Sequence, residues 1–476
     1  MRKARSSHVA QTIAECATMR CGRLLLLTLL IVMLPGFLSA QARYSLEDLL
    51  KYSLAGNPDI EQLASARNAD SAALDEAQAD LLPTVKLADY SSSIGNPQAP
   101  ISIAKGSVGS LPIPGVGSIP LPESDTVVVP GAENWGFDAE VQITQPLFNW
   151  GRIRGNIALH RDMVTADGLK TKKKQDDVQT LVRADYYSLY YLCKLIKLLY
   201  EQKAIADRMM QVAQDSFSAG QISEANLIEK RMKIGEINHA IVSVEEQRES
   251  VLRDLRFETD KRDLSTDNVV FDAIDGQLAQ RTLPDEQALM QRSLGNNNDI
   301  RLSMAAEAIY RNKVEITQSG MLFKPDFALS LRLGYMGPYL NDWRVQDDWL
   351  ANITLVISAP LYDGGKSGAE VAEARAQLEQ ASSQTRSAAR SVSKYIFQTC
   401  YELGVAKENI AYYEERSSSA QEIEAYQKCL LEVGAGSEVD YYQKRIDVFT
   451  EQAHAIEQQI AFATRYFTLQ NVTGGF

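Results

Sequence analysis

The sequence predicts a membrane α+β fold, in which four β-strands per chain contribute to a β-barrel that long α-helical hairpins continue. Three observations support this prediction. The same series of short motifs occurs in both halves of the 476-residue chain, each half contains strongly alternating segments of about ten residues, and each contains a helical pattern of about 70 residues. The composition, with 45% hydrophobic and 23% charged residues, is typical of a folded protein.

Residues 1–40 are predicted to be a secretory signal peptide. An apolar run at Leu24–Leu34 follows Arg20 and Arg23, and small residues up to Ala40 come after the run. A basic segment, a short apolar segment and a small-residue cleavage site are the parts of such a signal. The run has eleven residues, which is too short to span a bilayer as a helix. We therefore expect an exported protein.

The rest of the chain is acidic and has no signature of catalysis. It contains 44 basic and 60 acidic residues, a formal charge of −16, which argues against binding to nucleic-acid phosphates. The sequence contains no nucleophile motif, phosphate-binding loop or metal-ligand spacing, so we expect neither an enzyme nor a cofactor. The remaining cysteines, Cys193, Cys400 and Cys429, are too widely spaced for a disulfide framework.

Internal repetition indicates that the chain is duplicated. The matching segments, in order, are SLAGNPDI at 53–60 with SLGNNNDI at 293–300, PLFNWG at 146–151 with PLYDGG at 360–365, and FSAGQISEANL at 217–227 with LEVGAGSEVDY at 431–441. The first pair is offset by 240 residues and the other two pairs by 214. The additional residues of the first half lie in 95–131, a stretch rich in Gly, Pro and Ser that is predicted to be a long loop.

Each half contains two predicted membrane strands, in β-hairpins at 83–146 and 325–360. The alternating segments begin at Val85, Trp135, Phe327 and Trp349. Strict alternation gives one apolar and one polar face, and about ten residues is the length of a tilted transmembrane strand. Trp135, Tyr335 and Trp349 lie near segment ends, where interfacial aromatic residues are expected. A soluble sheet packed on a globular core is the alternative interpretation.

A long helical hairpin follows each pair of strands, at 147–282 and 361–476. Val182, Tyr186, Leu189, Cys193, Ile196 and Tyr200 alternate steps of four and three, which is the coiled-coil period. The first hairpin is predicted to turn near 220–223, where Gly220 ends one helix and Ser223 caps the next. The second is predicted to turn near 434–437. At 1.5 Å per residue, each long helix would measure about 100 Å.

Four strands cannot form a barrel alone, so the pattern predicts an oligomer. An open sheet in lipid would leave two rows of unpaired backbone groups, each costing several kcal/mol. Two copies would supply eight strands, whose lumen side chains fill. Three copies would supply a twelve-stranded β-barrel with room for a pore, which favours a trimer.

The segment Tyr44–Ile60, the junctions PLFNWGR and PLYDGGK, and the two Gly-x-x-Ser tips together resemble the TolC family of outer-membrane factors. This resemblance covers nearly the whole exported chain. It implies a homotrimer whose twelve-stranded barrel lies in outer-membrane lipid of a Gram-negative bacterium, continued by a periplasmic α-helical barrel of coiled-coil hairpins. It also implies equatorial segments at 41–82 and 283–324, and partnership with a periplasmic adaptor protein and an inner-membrane pump of the RND or ABC type.

Prolines and glycines mark the predicted strand-to-helix junctions. Pro146 and Pro360 are expected to end a strand and start a helix, because proline cannot extend a hydrogen-bonded ladder and suits a first helical turn. The glycines that follow, Gly151, Gly364 and Gly365, are expected to let the chain bend.

The tips match the family's closed periplasmic end and its adaptor contact, at Gly220, Ser223, Gly434 and Ser437. Asp440 matches an acidic ring that narrows the family's pore entrance, although a carboxylate in a first helical turn is also favoured by the helix dipole alone. Gln443 occupies the position of a second acidic residue in the family. Leu431 and Gly436 occupy the positions of a Tyr and an Arg that latch the tip.

The expected function is a passive outer-membrane exit duct for small molecules such as drugs, toxic compounds or metal ions. An exit duct for secreted proteins in a type I system is the nearest alternative. A non-porous periplasmic coiled-coil protein is the alternative of another class. Because the sequence lacks a nucleotide-binding motif, energy for transport would come from a partner pump.

Overall fold

The computed structural model describes residues 43–475 apart from positions 94, 97, 115–116, 130–134, 273, 275, 277, 283 and 338–348. The predicted signal peptide at 1–40 lies outside these residues. Within the described part of the chain, no helix combines the length and the apolar character needed to cross a membrane. The described residues fall into two compact units, the first comprising residues up to 57, 178–282 and 402–468, and the second comprising 58–177, 283–401 and residues from 469.

Eight α-helices account for most of the described chain, and their lengths repeat between the two halves. In chain order they are α1 (Leu46–Ala55), α2 (Pro58–Ala79), α3 (Arg152–Ser218), α4 (Glu224–Thr259), α5 (Glu286–Asn296), α6 (Asn298–Ser319), α7 (Lys366–Glu432) and α8 (Glu438–Val472). Helices α3 and α7 both contain 67 residues, and α2 and α6 both contain 22. Equal lengths at fixed offsets are what duplication of one structural plan produces.

Helices α1 and α6 begin at side-chain caps. Ser45 and Asp48 form a reciprocal capping box at the start of α1. The side chain of Asn297 accepts hydrogen bonds from the backbone of Asp299 and Ile300 at the start of α6, and its amide donates to the carbonyl of Val472 at 2.9 Å. These caps satisfy backbone groups that a helix end would otherwise leave unpaired.

Nine strands are described: β1 (Thr84–Asp89), β2 (Ser92–Ser93), β3 (Ile101–Ile103), β4 (Gly109–Ile113), β5 (Gly117–Leu121), β6 (Thr126–Val129), β7 (Trp135–Phe148), β8 (Asp326–Gly337) and β9 (Trp349–Ser358). The main sheet has the antiparallel order β1-β7-β8-β9, and the two-residue β2 continues the pairing of β1 along β7. The four strand positions predicted from alternation are therefore neighbours in one sheet.

The segment 95–131, predicted to be a loop, contains regular structure. Strand β3 pairs with β6, with one register shift, and β4 pairs with β5 between them, so the segment forms two small two-stranded sheets in succession. The prediction failed because several of the Gly and Pro residues that mark a loop, namely Gly109, Pro112, Gly117 and Pro120, lie within the short β4 and β5. Val127, Val128 and Val129 favour a strand.

In the first unit, long helices bury one stripe of apolar side chains. Val182, Tyr186 and Leu189 of α3 are fully buried, as the heptad pattern predicts, and the Tyr186 hydroxyl donates to the Val270 carbonyl at 2.8 Å. Tyr200, predicted at the end of the same stripe, is instead half exposed, and its hydroxyl contacts the Glu245 carboxylate. A phenol tip that reaches a carboxylate at the surface accounts for this departure from the pattern.

Candidate functional site

One face of the main sheet is apolar across all four strands. Residues that oppose one another in antiparallel strands share a face. The apolar rows are Val85-Ile143-Leu331-Ile353 and Leu87-Val141-Leu333-Ala351, continued on β8 and β9 by Leu329 and Leu355. Several of these side chains are strongly exposed, with Leu87 at 80% and Ile353 at 72%. A continuous exposed apolar sheet face is unstable in water and requires a cover.

Aromatic pairs lie at both ends of this apolar face. Tyr335 packs edge-on against Trp349 with ring centroids 6.0 Å apart, and Phe148 lies 6.2 Å from Phe327. Tyr335 and Phe327 are eight residues apart on β8, a rise of about 27 Å along the strand. An apolar band of roughly 25 Å between aromatic girdles is the pattern of a barrel wall in lipid. The side chain of Trp135, predicted to be interfacial, lies outside those described.

The opposite face of the sheet is polar. Two of its rows are polar on every strand, Thr84-Thr144-Ser330-Thr354 and Lys86-Gln142-Arg332-Asn352, and a third, Ala88-Glu140-Gly334-Leu350, contains one acidic residue. Gln142 donates to the Ser330 hydroxyl at 3.3 Å, and Thr354 donates to the Asn352 side chain at 2.7 Å. Hydrogen bonds of this kind join neighbouring residues of one face, and at these two levels the sheet is amphipathic across all four strands.

The two edges of the sheet are β1 and β9. In the described part of the chain each has a strand neighbour on one side only. All ten residues of β9 are exposed, as are most residues of β1. The backbone groups on these outer sides therefore remain available for pairing with further strands.

At the first junction, Pro146 does not end the strand. Strand β7 continues to Phe148, and Pro146 opposes Ala328 next to a register shift in the ladder. The prediction was wrong because β1 stops pairing at Thr144, so the missing amide of Pro146 faces a side of β7 that needs no donor. The bend follows at Gly151, which has a φ of +86°, and helix α3 begins at the next residue.

At the second junction, β9 ends at Ser358 and α7 begins at Lys366. Pro360 lies between them, and its carbonyl accepts a hydrogen bond from the Phe323 amide at 3.1 Å. Gly364 and Gly365 both have positive φ, at +69° and +89°. Asp363 then accepts hydrogen bonds from the side chain and backbone of Ser367, and the side-chain bond is the largest cause of the lowered pKa of Asp363. At both junctions, therefore, the chain changes direction at glycine residues with positive φ and not at the prolines.

Both hairpin tips end their long helix in the same way. The amide of Gly220 donates to the Phe217 carbonyl at 2.9 Å, and that of Gln221 donates to Ser216 at 2.8 Å. Gly220 has a φ of +71°, and the same two bonds form around Gly434, whose φ is +75°. This is the Schellman arrangement, in which a left-handed residue closes a helix. In the first tip, the Ser223 side chain then accepts from the amide of Asn226 and caps α4.

The second tip differs from the first in its packing. A Cβ atom added to Gly436 would lie 2.9 Å from the Leu431 amide nitrogen and 3.1 Å from the Leu430 Cβ. Any side chain at Gly436 would therefore push against the end of α7. The equivalent position of the first tip, 214 residues earlier, contains Ile222. The family's arginine latch thus has no counterpart at Gly436, for a reason of space as well as sequence.

Of the two predicted gate residues, the structure places only Asp440 free at the surface. Asp440 is exposed in the first turn of α8, three residues after Ser437, whose carbonyl accepts from the Tyr441 amide at 3.1 Å. Gln443 instead lies between charged neighbours. It accepts from the Lys230 ammonium at 3.2 Å and donates to Asp447 at 3.1 Å, so it joins α4 to α8.

A cluster of carboxylates between α3 and α4 was missed from the sequence. Burial, together with the negative charges of Asp254 and Glu258, raises the pKa of Asp185 to about 7, and burial is the largest of these causes. One Asp185 carboxylate oxygen is buried without a hydrogen-bond partner among the described residues. No group of side chains in the described chain meets the requirements of a metal site. The spacing of the three acids was visible, but their facing positions depend on how the hairpin packs.

The duplicated hairpins and the amphipathic sheet define the class of outer-membrane channel proteins. The family model described as "Outer membrane efflux protein" matches residues 49–257 and 289–475, and the chain belongs to this family. It is 24% identical over 451 residues to outer membrane protein TolC of Salmonella enteritidis, covering 92% of this chain and 82% of that protein. The predicted resemblance to the TolC family is thereby confirmed, and its members are channel proteins rather than enzymes.

Solved structures support the fold. The chain is similar to CusC, with a TM-score of 0.72, 14% identity and coverage of 90% of this chain and 92% of that one. It is similar to VceC from Vibrio cholerae with a TM-score of 0.70 and 14% identity, covering 90% and 96%. At these identities the likeness is one of architecture.

Proposed function

We propose that three copies of this chain form a passive exit duct through the outer membrane of a Gram-negative bacterium. The observation that carries the proposal is the four-stranded sheet with one apolar face, aromatic ends and two free edges. In lipid, such a sheet is stable only if further strands pair with β1 and β9. Identical copies supply those strands, since β9 of one chain then pairs with β1 of the next.

Three copies are favoured because of the space they enclose. Eight strands from two copies give a lumen that side chains fill, whereas twelve strands leave an aqueous channel. The polar face, with Lys86, Gln142, Arg332 and Asn352, then lines water, and the apolar face meets lipid. A non-porous coiled-coil protein would leave the apolar face in water, so the sheet argues against that alternative.

The helical hairpins form the periplasmic part of the proposed duct, and their tips contact a periplasmic adaptor protein. An inner-membrane pump of the RND or ABC type supplies the energy, and small molecules such as drugs, toxic compounds or metal ions are exported. Exposure of Gly220, Ser223, Gly434 and Ser437 supports this role for the tips. Their surface groups are available to a partner.

Asp440 is proposed as the acidic residue of the pore entrance. It is exposed, and three copies around one axis would concentrate negative charge and favour cations. Gln443 is proposed as a support residue instead, because its side chain is engaged by Lys230 and Asp447.

Single-channel conductance of the purified protein in a planar bilayer tests the duct. We expect a steady current from detergent-extracted oligomers, and a weaker preference for cations in Asp440→Asn. The matched control is Asn226→Asp, which places an acid at the equivalent position of the first tip. A water-soluble monomer that passes no current would contradict the proposal. If Asp440→Asn passed current with unchanged ion selectivity, the proposed duct would stand and the proposed acidic ring at Asp440 would be contradicted.

A further inference from the structure

The polar face of the main sheet contains one level at which two cations face solvent. Lys86, Gln142, Arg332 and Asn352 oppose one another across β1, β7, β8 and β9. Lys86 is exposed, and the Arg332 side chain is 50% exposed. The adjacent row, Thr84-Thr144-Ser330-Thr354, consists of hydroxyl residues on every strand. This part of the face therefore offers two positive charges beside hydrogen-bond donors.

The acidic residues of the same face are placed differently. The Glu140 side chain is only 8% exposed, because it lies over Gly334, where an added Cβ would be 2.9 Å from the Glu140 Cβ. Its carboxylate is 3.9 Å from the Arg332 guanidinium, so it balances part of that charge from within the wall. A solute in contact with the face meets the cations and is shielded from Glu140.

Asp138 lies farther along β7. It is separated from Gln142 by four residues, a rise of about 13 Å along the strand. The Debye length at physiological ionic strength is about 8 Å, so the charge of Asp138 is largely screened at the level of Lys86. Asp326 lies on the same face of β8, six residues from Arg332, a rise of about 20 Å along the strand, and its carboxylate is paired with Arg152 at 2.6 Å. The charges of the polar face are therefore segregated by level.

We propose that Lys86 and Arg332 form an anion-attracting level inside the barrel and determine which charged solutes pass it. This inference rests on the proposed duct, in which the polar face lines the lumen. Three copies would bring six positive charges around one level. A ring of like charges raises the local concentration of counter-ions, and the neighbouring hydroxyl row can donate hydrogen bonds to an anion. Small acidic solutes are the class whose passage this level favours. The local positive charge contrasts with the negative net charge of the whole chain.

The reversal potential of single channels in a potassium chloride gradient tests this role. Lys86→Gln combined with Arg332→Gln is expected to lower the chloride-to-potassium permeability ratio by about twofold or more, because charged rings of this kind dominate local ion concentrations. Thr84→Lys, which adds a cation to the adjacent row, is expected to shift the ratio toward chloride. The charge-balanced control Arg332→Gln with Glu140→Gln removes one charge of each sign and is expected to shift the ratio less than either charge-changing variant.

The outcomes separate this inference from the duct itself. If the Lys86→Gln, Arg332→Gln channel conducts normally and its reversal potential is unchanged, the anion-attracting level is overturned. The proposed duct then still stands. An unmodified protein that passes no current overturns the duct and the inference together. If the double variant fails to form a detergent-stable oligomer, Thr84→Lys decides the question. A Thr84→Lys channel without a shift toward chloride also overturns the inference.

Discussion

The two halves of the chain share their helix lengths and helix ends but differ in the side chains at equivalent positions. Helices α3 and α7 have the same length, and both close on a left-handed glycine at the tip. At an offset of 214 residues, Asp185, Asp254 and Glu258 of the first half correspond to Thr399, Thr468 and Val472 of the second. Duplication therefore preserved the backbone plan, while charge and packing diverged between the halves.

The largest expected effect comes from the acidic cluster that only the first half contains. Asp185→Asn should stabilise the protein at pH 8, by at most about 4 kcal/mol, since one pKa unit corresponds to about 1.4 kcal/mol. In the unfolded chain Asp185 ionises near its ordinary pKa, and in the folded chain near 7. The folded state therefore loses stability as pH rises from about 4 to about 7, and Asp185→Asn removes that loss.

Thermal unfolding at pH 5 and pH 8 measures this difference. The gain in Tm should be larger at pH 8 than at pH 5. Asp254→Asn is the graded control, because it removes one of the two charges that raise the pKa of Asp185 and leaves its burial intact. If the Tm of Asp185→Asn depended on pH in the same way as the Tm of the unmodified protein, the acidic cluster would not be the cause of a stability loss in the first half.

An intermediate effect is expected from the packing difference between the tips. Gly436→Ala should destabilise the second tip by about 2 kcal/mol, because overpacking of a close contact typically costs 1–3 kcal/mol. Its Cβ would meet the backbone at the end of α7. Faster cleavage at the tip in limited proteolysis is the measurement. Ile222→Ala in the first tip removes side-chain atoms at the equivalent position, so it provides the control without added volume. If Gly436→Ala and the unmodified protein were cleaved at the same rate, the predicted steric limit at position 436 would be contradicted.

The smallest effect should be the same in both halves. Gly220→Ala and Gly434→Ala each force a side chain into the left-handed region, at a cost of about 1 kcal/mol. An added Cβ at either glycine has nothing within 4 Å, so conformation alone sets the cost. Equal decreases in Tm for the two variants are expected. Clearly unequal decreases would mean that the tips do not share one helix-closing motif.

Much of the fold was predictable because it depends on local patterns. Alternation located the strands of the main sheet, and the steps of four and three located the buried Val182 and Tyr186. Pro146 was misjudged because a proline can remain in a strand where the neighbouring strand has already ended, as β1 has at Thr144. The two small sheets at 101–129 were missed because their strands are short and separated by turns.

The site was less predictable than the fold, since its properties arise from contacts distant in sequence. Gln443 is bound by Lys230, which lies 213 residues earlier. The raised pKa of Asp185 depends on Asp254 and Glu258 from the facing helix. The row of Lys86 and Arg332 exists only through the register of three strand pairings. No single segment of the sequence contains these relations.

Native mass spectrometry of the detergent-extracted protein counts the chains that complete the proposed barrel. We expect a species of three chains, which supplies twelve strands and closes β9 of each copy on β1 of the next. A species of one chain would contradict this expectation, since both edges of the sheet would remain unpaired. A species of two chains would also contradict it, because eight strands enclose no open channel.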